Sequence, residues 1–383
     1  MAYNRKQRLN DNIKAIETAF ILDREQRTPT ARERLLLERY CGFGGLKCIL
    51  NPARELADAV HWAKSDLELF APTVELHRLI RENSKNESEY KQLMDSLKQS
   101  VLTAFYTPSA VTEALTDVLK EHQIIPEKVL EPSAGIGAFV DSVLDNNPKA
   151  DIMAFEKDLL TGKILRHLHP EQKVRIEGFE KIEKPFNDYF DLAISNIPFG
   201  DVAVFDPSYT AMKGMRALVT RRIHNYFFVK ALDTVRDGGL VAFITSQGVL
   251  NAKNNSAARF MMLYHADLVS AIRLPNNLFT ENANTEVGSD LIILQKNTQK
   301  ESLRGDDNLL DTVYNDENRI PTNNYFLEHP ERIIHTTAKL DTDPFGKPAM
   351  IYTHEDGVEG IAEDLRKMLH EDFKKNLNLN RYL

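Results

Sequence analysis

Apolar residues recur at helical spacing through the first hundred positions: Ile13, Ile16 and Phe20, then Leu35, Leu36, Leu37 and Tyr40. Gly42-Phe43-Gly44-Gly45-Leu46 interrupts that pattern, and a polar helical pattern resumes over roughly 73–100. Amphipathic segments bury one face, so 1–100 is expected to form a packed helical region. From about 126 the period changes. Short apolar runs at 128–130, 152–155, 174–176, 192–195, 240–245, 268–273 and 291–295 alternate with helical stretches. This alternation predicts an α/β fold with a doubly wound, mostly parallel seven-stranded sheet, occupying 101–297. The last two runs are too close for a crossover helix, which predicts an antiparallel strand at one edge. Residues 298–383 read as a small extension with helical pieces at 361–369 and from Asp372 onward.

Composition narrows the class. Of the 383 residues, 42% are hydrophobic and 27% charged, which suits a globular chain and excludes collagen-like or wholly disordered ones. No apolar run is long enough to span a membrane, and the start lacks the apolar segment of a secretory signal. Cys41 and Cys48 are too few for a disulfide framework or a four-cysteine zinc site, so a reduced, cytoplasmic protein is expected. The formal net charge of −8 excludes a uniformly basic nucleic-acid coat but allows a local basic groove. Residues 301–383 hold 10 Lys and Arg against 17 Asp and Glu, so the negative balance is concentrated there.

Three strings carry candidate chemistry. In Val129-Leu130-Glu131-Pro132-Ser133-Ala134-Gly135-Ile136-Gly137-Ala138-Phe139 a strand ends, a small-residue turn follows and a helix begins. Two glycines allow a ligand to approach the backbone, at the carboxyl end of a strand, where open α/β sheets bind ligands. The spacing lacks the third glycine of a dinucleotide fingerprint, and a tight turn without a ligand fits it too. In Phe155-Glu156-Lys157, Glu156 lies 21 residues beyond Gly135, a separation suited to a carboxylate that accepts from ribose hydroxyls. In Ser195-Asn196-Ile197-Pro198-Phe199-Gly200 an amide oxygen, a backbone carbonyl and a ring are presented together. Two acceptors and a platform suit a planar amine, although such a string is also a common turn.

Taken together these strings resemble class I S-adenosylmethionine-dependent DNA adenine-N6 methyltransferases, of the type carried by phages and conjugative elements. The resemblance covers roughly 100–296 and implies a Rossmann-like sheet with S-adenosylmethionine as cofactor. Phe105-Tyr106-Thr107-Pro108 is similar to the family's N-terminal cofactor motif, and Glu131 to Gly137 with Phe139 to the motif around the methionine portion. Glu156, followed by Lys157, matches the ribose-binding acid, and Asn196-Ile197-Pro198-Phe199 resembles the catalytic tetrapeptide. Asp237-Gly238-Gly239-Leu240, Leu274-Pro275 and Phe279 match later segments. Gly42–Leu46, Asn324-Tyr325-Phe326 and His329-Pro330-Glu331 look like flanks of the mobile-element type, in which a helicase region often follows. Two departures stand out. Ile197 replaces a proline, and Gly178-Phe179-Glu180 stands where an acidic-aromatic pair contacts the cofactor's adenine, leaving Phe179 as the candidate ring.

The implied chemistry is coherent. The N6 lone pair of adenine is conjugated into the ring. Hydrogen bonds to Asn196 and the Ile197 carbonyl would free it for in-line attack on the sulfonium methyl, with no metal needed. The base must leave the duplex to be reached, with Phe199 stacking on it. DNA is the implied partner, and a helicase or specificity protein a further one. The acid-free window 207–232 holds Lys213, Arg216, Arg221 and Arg222, candidates for phosphate contact, though a solvated helix face also explains such a run. Lys163, Arg166, His167, His169, Lys173 and Arg175 form a second basic stretch, in which both histidines read as surface residues. Sequence preference is expected to be weak or to depend on 1–100, since the tail is acidic. Two alternatives remain: an RNA adenine or protein glutamine-N5 methyltransferase, and a decayed methylase that binds DNA or a partner in defence or anti-restriction.

Overall fold

The computed structural model describes residues 4–103, 106–212, 214–280, 286–303, 305, 307–314, 319–343 and 346–383. Seven strands form one sheet: β1 (Lys128–Glu131), β2 (Asp151–Phe155), β3 (Lys173–Arg175), β4 (Phe190–Asn196), β5 (Val235–Ser246), β6 (Ala266–Leu274) and β7 (Ser289–Lys296). Six contain a predicted apolar run whole, and β3 overlaps the run 174–176 but ends at Arg175. Their order is β3-β2-β1-β4-β5-β7-β6. The pairs from β3 to β5 are parallel, and β7 runs antiparallel to both neighbours, Leu291 facing Ile244 on one side and Ile272 on the other. The antiparallel strand therefore lies at the expected margin, with β6 outermost. All eight β7 residues are buried, as fits a strand covered on both faces.

Helices cover both faces. α1 (Arg5–Glu25), α2 (Ala31–Leu37), α3 (Phe70–Glu82) and α4 (Glu87–Thr103) make up the N-terminal region, followed by α5 (Ser109–Glu121), α6 (Ala138–Asn146) and α7 (Leu159–Leu168). α8 (Ile223–Thr234) and α9 (Ser256–His265) lie between the later strands, and α10 (Gly357–Asn376) lies near the C-terminus. One apolar cluster joins the β1, β4 and β5 side chains of one face to α5, α6 and α10, and a second joins the other face to α8 and α9. The N-terminal helices have a third cluster, which they complete with Leu160, Ile164 and Leu168 of α7. No helix among the described residues is long and apolar enough to cross a membrane.

Several expectations change in detail. Leu35 is exposed, and Tyr40 lies beyond α2 and is fully buried. The two helical pieces of the tail are one helix, α10. Ile361, Leu365, Leu369 and Phe373 bury its apolar face in the sheet's own core. The tail also holds two hairpins, β8 (Thr312–Tyr314) with β9 (Pro321–Asn323) and β10 (Thr337–Thr342) with β11 (Pro348–Thr353). His167 and His169 are not surface residues. His167 hydrogen-bonds Asp23 at 2.8 Å, and His169 is buried against the turn at Gly137. Asp23 also takes Lys163 and Arg166, so much of the second basic stretch fastens α7 to α1. Cys48 is buried and Cys41 partly so, and both are free thiols. Trp62 is a packing anchor, edge-on to Phe70 at 5.3 Å.

Candidate cofactor and substrate site

β1 pairs in parallel with β2 on one side and β4 on the other, so three consecutive strands end on one edge of the sheet. At that edge stand the 132–137 turn, Glu156 and Asn196, each just past or at the end of its strand. The turn is tied to β2 by the Ala134 amide, which donates to the Phe155 carbonyl at 2.8 Å. Gly135 adopts φ +56° and Gly137 φ +93°, the left-handed region that favours glycine. A Cβ on Gly135 would come within 2.8 Å of the Tyr106 ring, and one on Gly137 within 2.7 Å of His169. Both glycines are thus demanded by close approach as well as by backbone angle.

The Glu156 carboxylate closes the turn. It accepts from the Gly135 amide at 2.8 Å and from the Asp158 amide at 2.7 Å. Burial pushes Glu156 up to about 8, and neighbouring Asp158 adds repulsion. Burial also pushes Glu131, at the end of β1, up to about 8, while the Ser195 hydroxyl nearby pulls the other way. Asp158 is raised too, by burial above all. None of these three carboxyls is bridged to a lysine or arginine among the described residues. A ligand that brings a fixed positive centre and hydroxyl donors would relieve them, and S-adenosylmethionine brings both. The buried Thr107 hydroxyl, with no partner among the described residues, adds a polar group on the same wall. The residues present therefore fit that cofactor.

The wall behind the turn is made by distant elements. Tyr40 and Tyr106 both reach the Thr161 hydroxyl, at 3.2 and 3.5 Å. Ser96 of α4 donates to Asp158 at 2.7 Å and accepts from the Leu160 amide at 3.0 Å. Tyr40, Ser96, Asp158 and Thr161 had no local signal in the sequence. They come together only because α4 and α2 pack on α7.

Asn196 is the last residue of β4. The ladder continues one step further, the Ile197 amide donating to the Ile244 carbonyl at 3.0 Å. The Ile197 side chain is sealed in the second core cluster, so packing holds the loop where proline would otherwise stiffen it. Pro198 is half-buried, and Phe199 is half-buried and packs edge-on to Phe279 at 6.3 Å.

Other candidates are placed differently. Pro132 and Ala134 are buried in the turn, Ser133 is half-buried, and Lys157 is exposed. Phe139 packs in the core. Pro108 is half-buried just ahead of α5. Phe105 and Lys213 lie outside the described residues. Phe179 is sealed among Phe155, Tyr226 and Phe227, with ring centres 5.2–6.4 Å away, so in this arrangement it covers other rings. Arg216 forks onto Asp233 at 2.6 and 2.9 Å, and Arg222 meets Asp201, Asn254 and Asn255. Of the basic quartet, only Arg221 among the described residues is exposed and bridged to no acid.

Comparison with known proteins gives the family. The model of the N-6 DNA Methylase family matches residues 88–355. A defense against restriction protein B of Escherichia phage P1 is 29% identical over 201 residues, covering 51% of this chain and 8% of that protein. The type II methyltransferase M.XamI of Xanthomonas campestris pv. amaranthicola is 25% identical over 173 residues, 42% of this chain and 33% of that one. The chain thus spans a third or less of these relatives. A Listeria monocytogenes structure described as a class I S-adenosylmethionine-dependent methyltransferase is 15% identical, with TM-score 0.44, over 77% of this chain and 90% of that one. The chain belongs to the N-6 DNA methylase family of S-adenosylmethionine-dependent methyltransferases.

Proposed function

We propose that this chain methylates the exocyclic N6 amine of an adenine extruded from DNA. The reading is carried by one arrangement: the Asn196-Ile197-Pro198-Phe199 string at the end of β4 adjoins the glycine turn at the end of β1. The bound cofactor supplies an electrophilic methyl group. Glu156 takes the ribose hydroxyls, and the Glu131–Gly137 turn with Tyr106, Thr107 and Pro108 encloses the remainder. Asn196 and the Ile197 carbonyl accept from the two amine protons, which draws the nitrogen lone pair out of conjugation. The nitrogen–carbon bond forms as the sulfur–carbon bond breaks, and the amine then sheds one proton. Phe199 supports the base from the side opposite Phe279. Among the described residues of the basic window, Arg221 is the one exposed to a phosphate and bridged to no acid. DNA, and a helicase or specificity protein, are the proposed partners.

The test is transfer of labelled methyl groups to DNA, RNA and release-factor substrates, with N6-methyladenine identified by mass spectrometry. Label in DNA as N6-methyladenine is expected. Label only in RNA or in glutamine would overturn the assignment to DNA. The likeness to the phage defense protein supports a second reading, a binding protein that keeps the fold without the chemistry. Cofactor binding by calorimetry with no transfer to any substrate would favour it.

A further inference from the structure

Residues 201–222 join the catalytic loop to α8, and they are fastened at three points. Asp206 is buried, accepting from the Tyr226 hydroxyl at 2.7 Å and the Lys230 ammonium at 3.1 Å, and it caps the turn at Ser208. Arg216 forks onto Asp233. Arg222 bridges Asp201 to Asn254 and Asn255, beyond the carboxyl end of β5. The Val204 amide donates to the Thr220 carbonyl at 2.8 Å, which draws the two limbs of the segment together. Residues 201–206 and 220–222 therefore form a built lip at the start of α8, toward the sheet edge that carries Asn196, while Arg216 ties the described remainder of the segment to the far end of α8.

Its outward side chains run against that rigidity. Phe205 is 78% exposed and Val202 62%, and Met215 and Leu218, one helical turn apart, are also exposed. Arg221, whose amide donates to the Leu218 carbonyl at 3.2 Å, is exposed as well. A segment this well anchored holds its apolar groups in water at a cost, and exposed apolar side chains gathered on one short segment point to an interaction surface. The lip follows the tetrapeptide in the chain, its two acids are each paired with a cation, Asp201 with Arg222 and buried Asp206 with Lys230, and 207–232 holds no further acid.

We propose that this lip takes the DNA flanking the extruded base, with Phe205 filling the gap left in the stack and Arg221 meeting the adjoining phosphate. Extrusion removes the stacking partner of two neighbouring bases, and an apolar ring in the vacancy recovers part of that loss. Arg216 and Arg222, the more obvious cations, serve to hold the lip. The proposal rests on the reading of the chain as a DNA methyltransferase.

The test compares wild type, Phe205→Ala and Phe205→Trp on two duplexes. One carries the sequence that modification-sensitive sequencing finds methylated in expressing cells. The other has an abasic site opposite the target adenine, so that extrusion is already eased. Phe205→Ala is expected to lose about tenfold or more in transfer to the paired duplex. It should come within about twofold of wild type on the abasic one, while Phe205→Trp keeps activity on both and cofactor affinity is unchanged in each. Phe205 is exposed, so neither change should disturb folding. Equal losses on both duplexes, or none on the paired one, would overturn the lip proposal alone. A wild-type chain that transfers to no DNA would overturn the functional reading, and the lip with it.

Discussion

At Gly135 the backbone is left-handed and the Tyr106 ring occupies the space a Cβ would need. Gly135→Ala is therefore expected to displace Tyr106 and weaken cofactor binding, which calorimetry would detect, with a backbone cost of about 1–2 kcal/mol. Glu156 carries a sharper prediction. With Glu156 and Glu131 pushed up to about 8, the folded chain keeps protons that the unfolded chain sheds above the ordinary carboxylate range. Stability from this source is complete below that range and is lost as pH rises through about 8. The Tm of the cofactor-free protein should fall between pH 6 and pH 9, and Glu156→Gln should flatten the fall. The same variant should bind S-adenosylmethionine about tenfold more weakly, because a carboxyl that can ionise against the ribose hydroxyls gives way to an amide that cannot. A variant with unchanged Tm profile and unchanged affinity would remove Glu156 from the site. Asn196→Ala should abolish transfer and leave cofactor affinity mostly intact, and full activity in it would end the role given to Asn196.

The strands are the elements most legible in the chain. A run such as Ala193-Ile194 or Leu291-Ile292-Ile293-Leu294 is apolar on both faces because helices cover both faces, and burial of that kind writes itself into composition. Helix edges were less legible where the partner is remote. The basic residues of α7 look like a ligand-binding run, yet Lys163, Arg166 and His167 converge on Asp23 of α1. Their cationic neighbourhood holds the Asp23 carboxyl well below the usual range. Its contribution is present above that range and lost as pH falls below it. Asp23→Ala is expected to lower stability by about 1–3 kcal/mol by denaturant titration at pH 7, with the deficit against wild type narrowing in acid. An unchanged midpoint would show that the N-terminal helices hold α7 by apolar packing alone.

Across the whole molecule, both ends of the chain return to the sheet. α4 supplies Ser96 to the Asp158 that caps α7, and α10 lays its apolar face against α5 and β6. A Cβ on Gly238 in β5 would collide with the Arg381 carbonyl, so the last residues are fitted to the sheet as closely as any strand. Leu365 is fully buried, and Leu365→Ala should cost about 2–4 kcal/mol, measured by chemical denaturation. A loss below about 1 kcal/mol would mean that α10 is a loosely held appendage.

Sequence by itself determined the sheet, its strands, the antiparallel margin and the strings at Gly135, Glu156 and Asn196. Each of those depends on residues close together in the chain: apolar period, turn chemistry, a short spacing. Tertiary structure alone decided which of the remaining side chains are available. It committed Arg216, Arg222 and His167 to internal acids, sealed Phe179 among rings, assembled Tyr40, Ser96 and Thr161 behind the cofactor turn, and left Phe205 in water. Partners far apart along the chain meet only when helices pack, and no local pattern of residues encodes which pairs will meet.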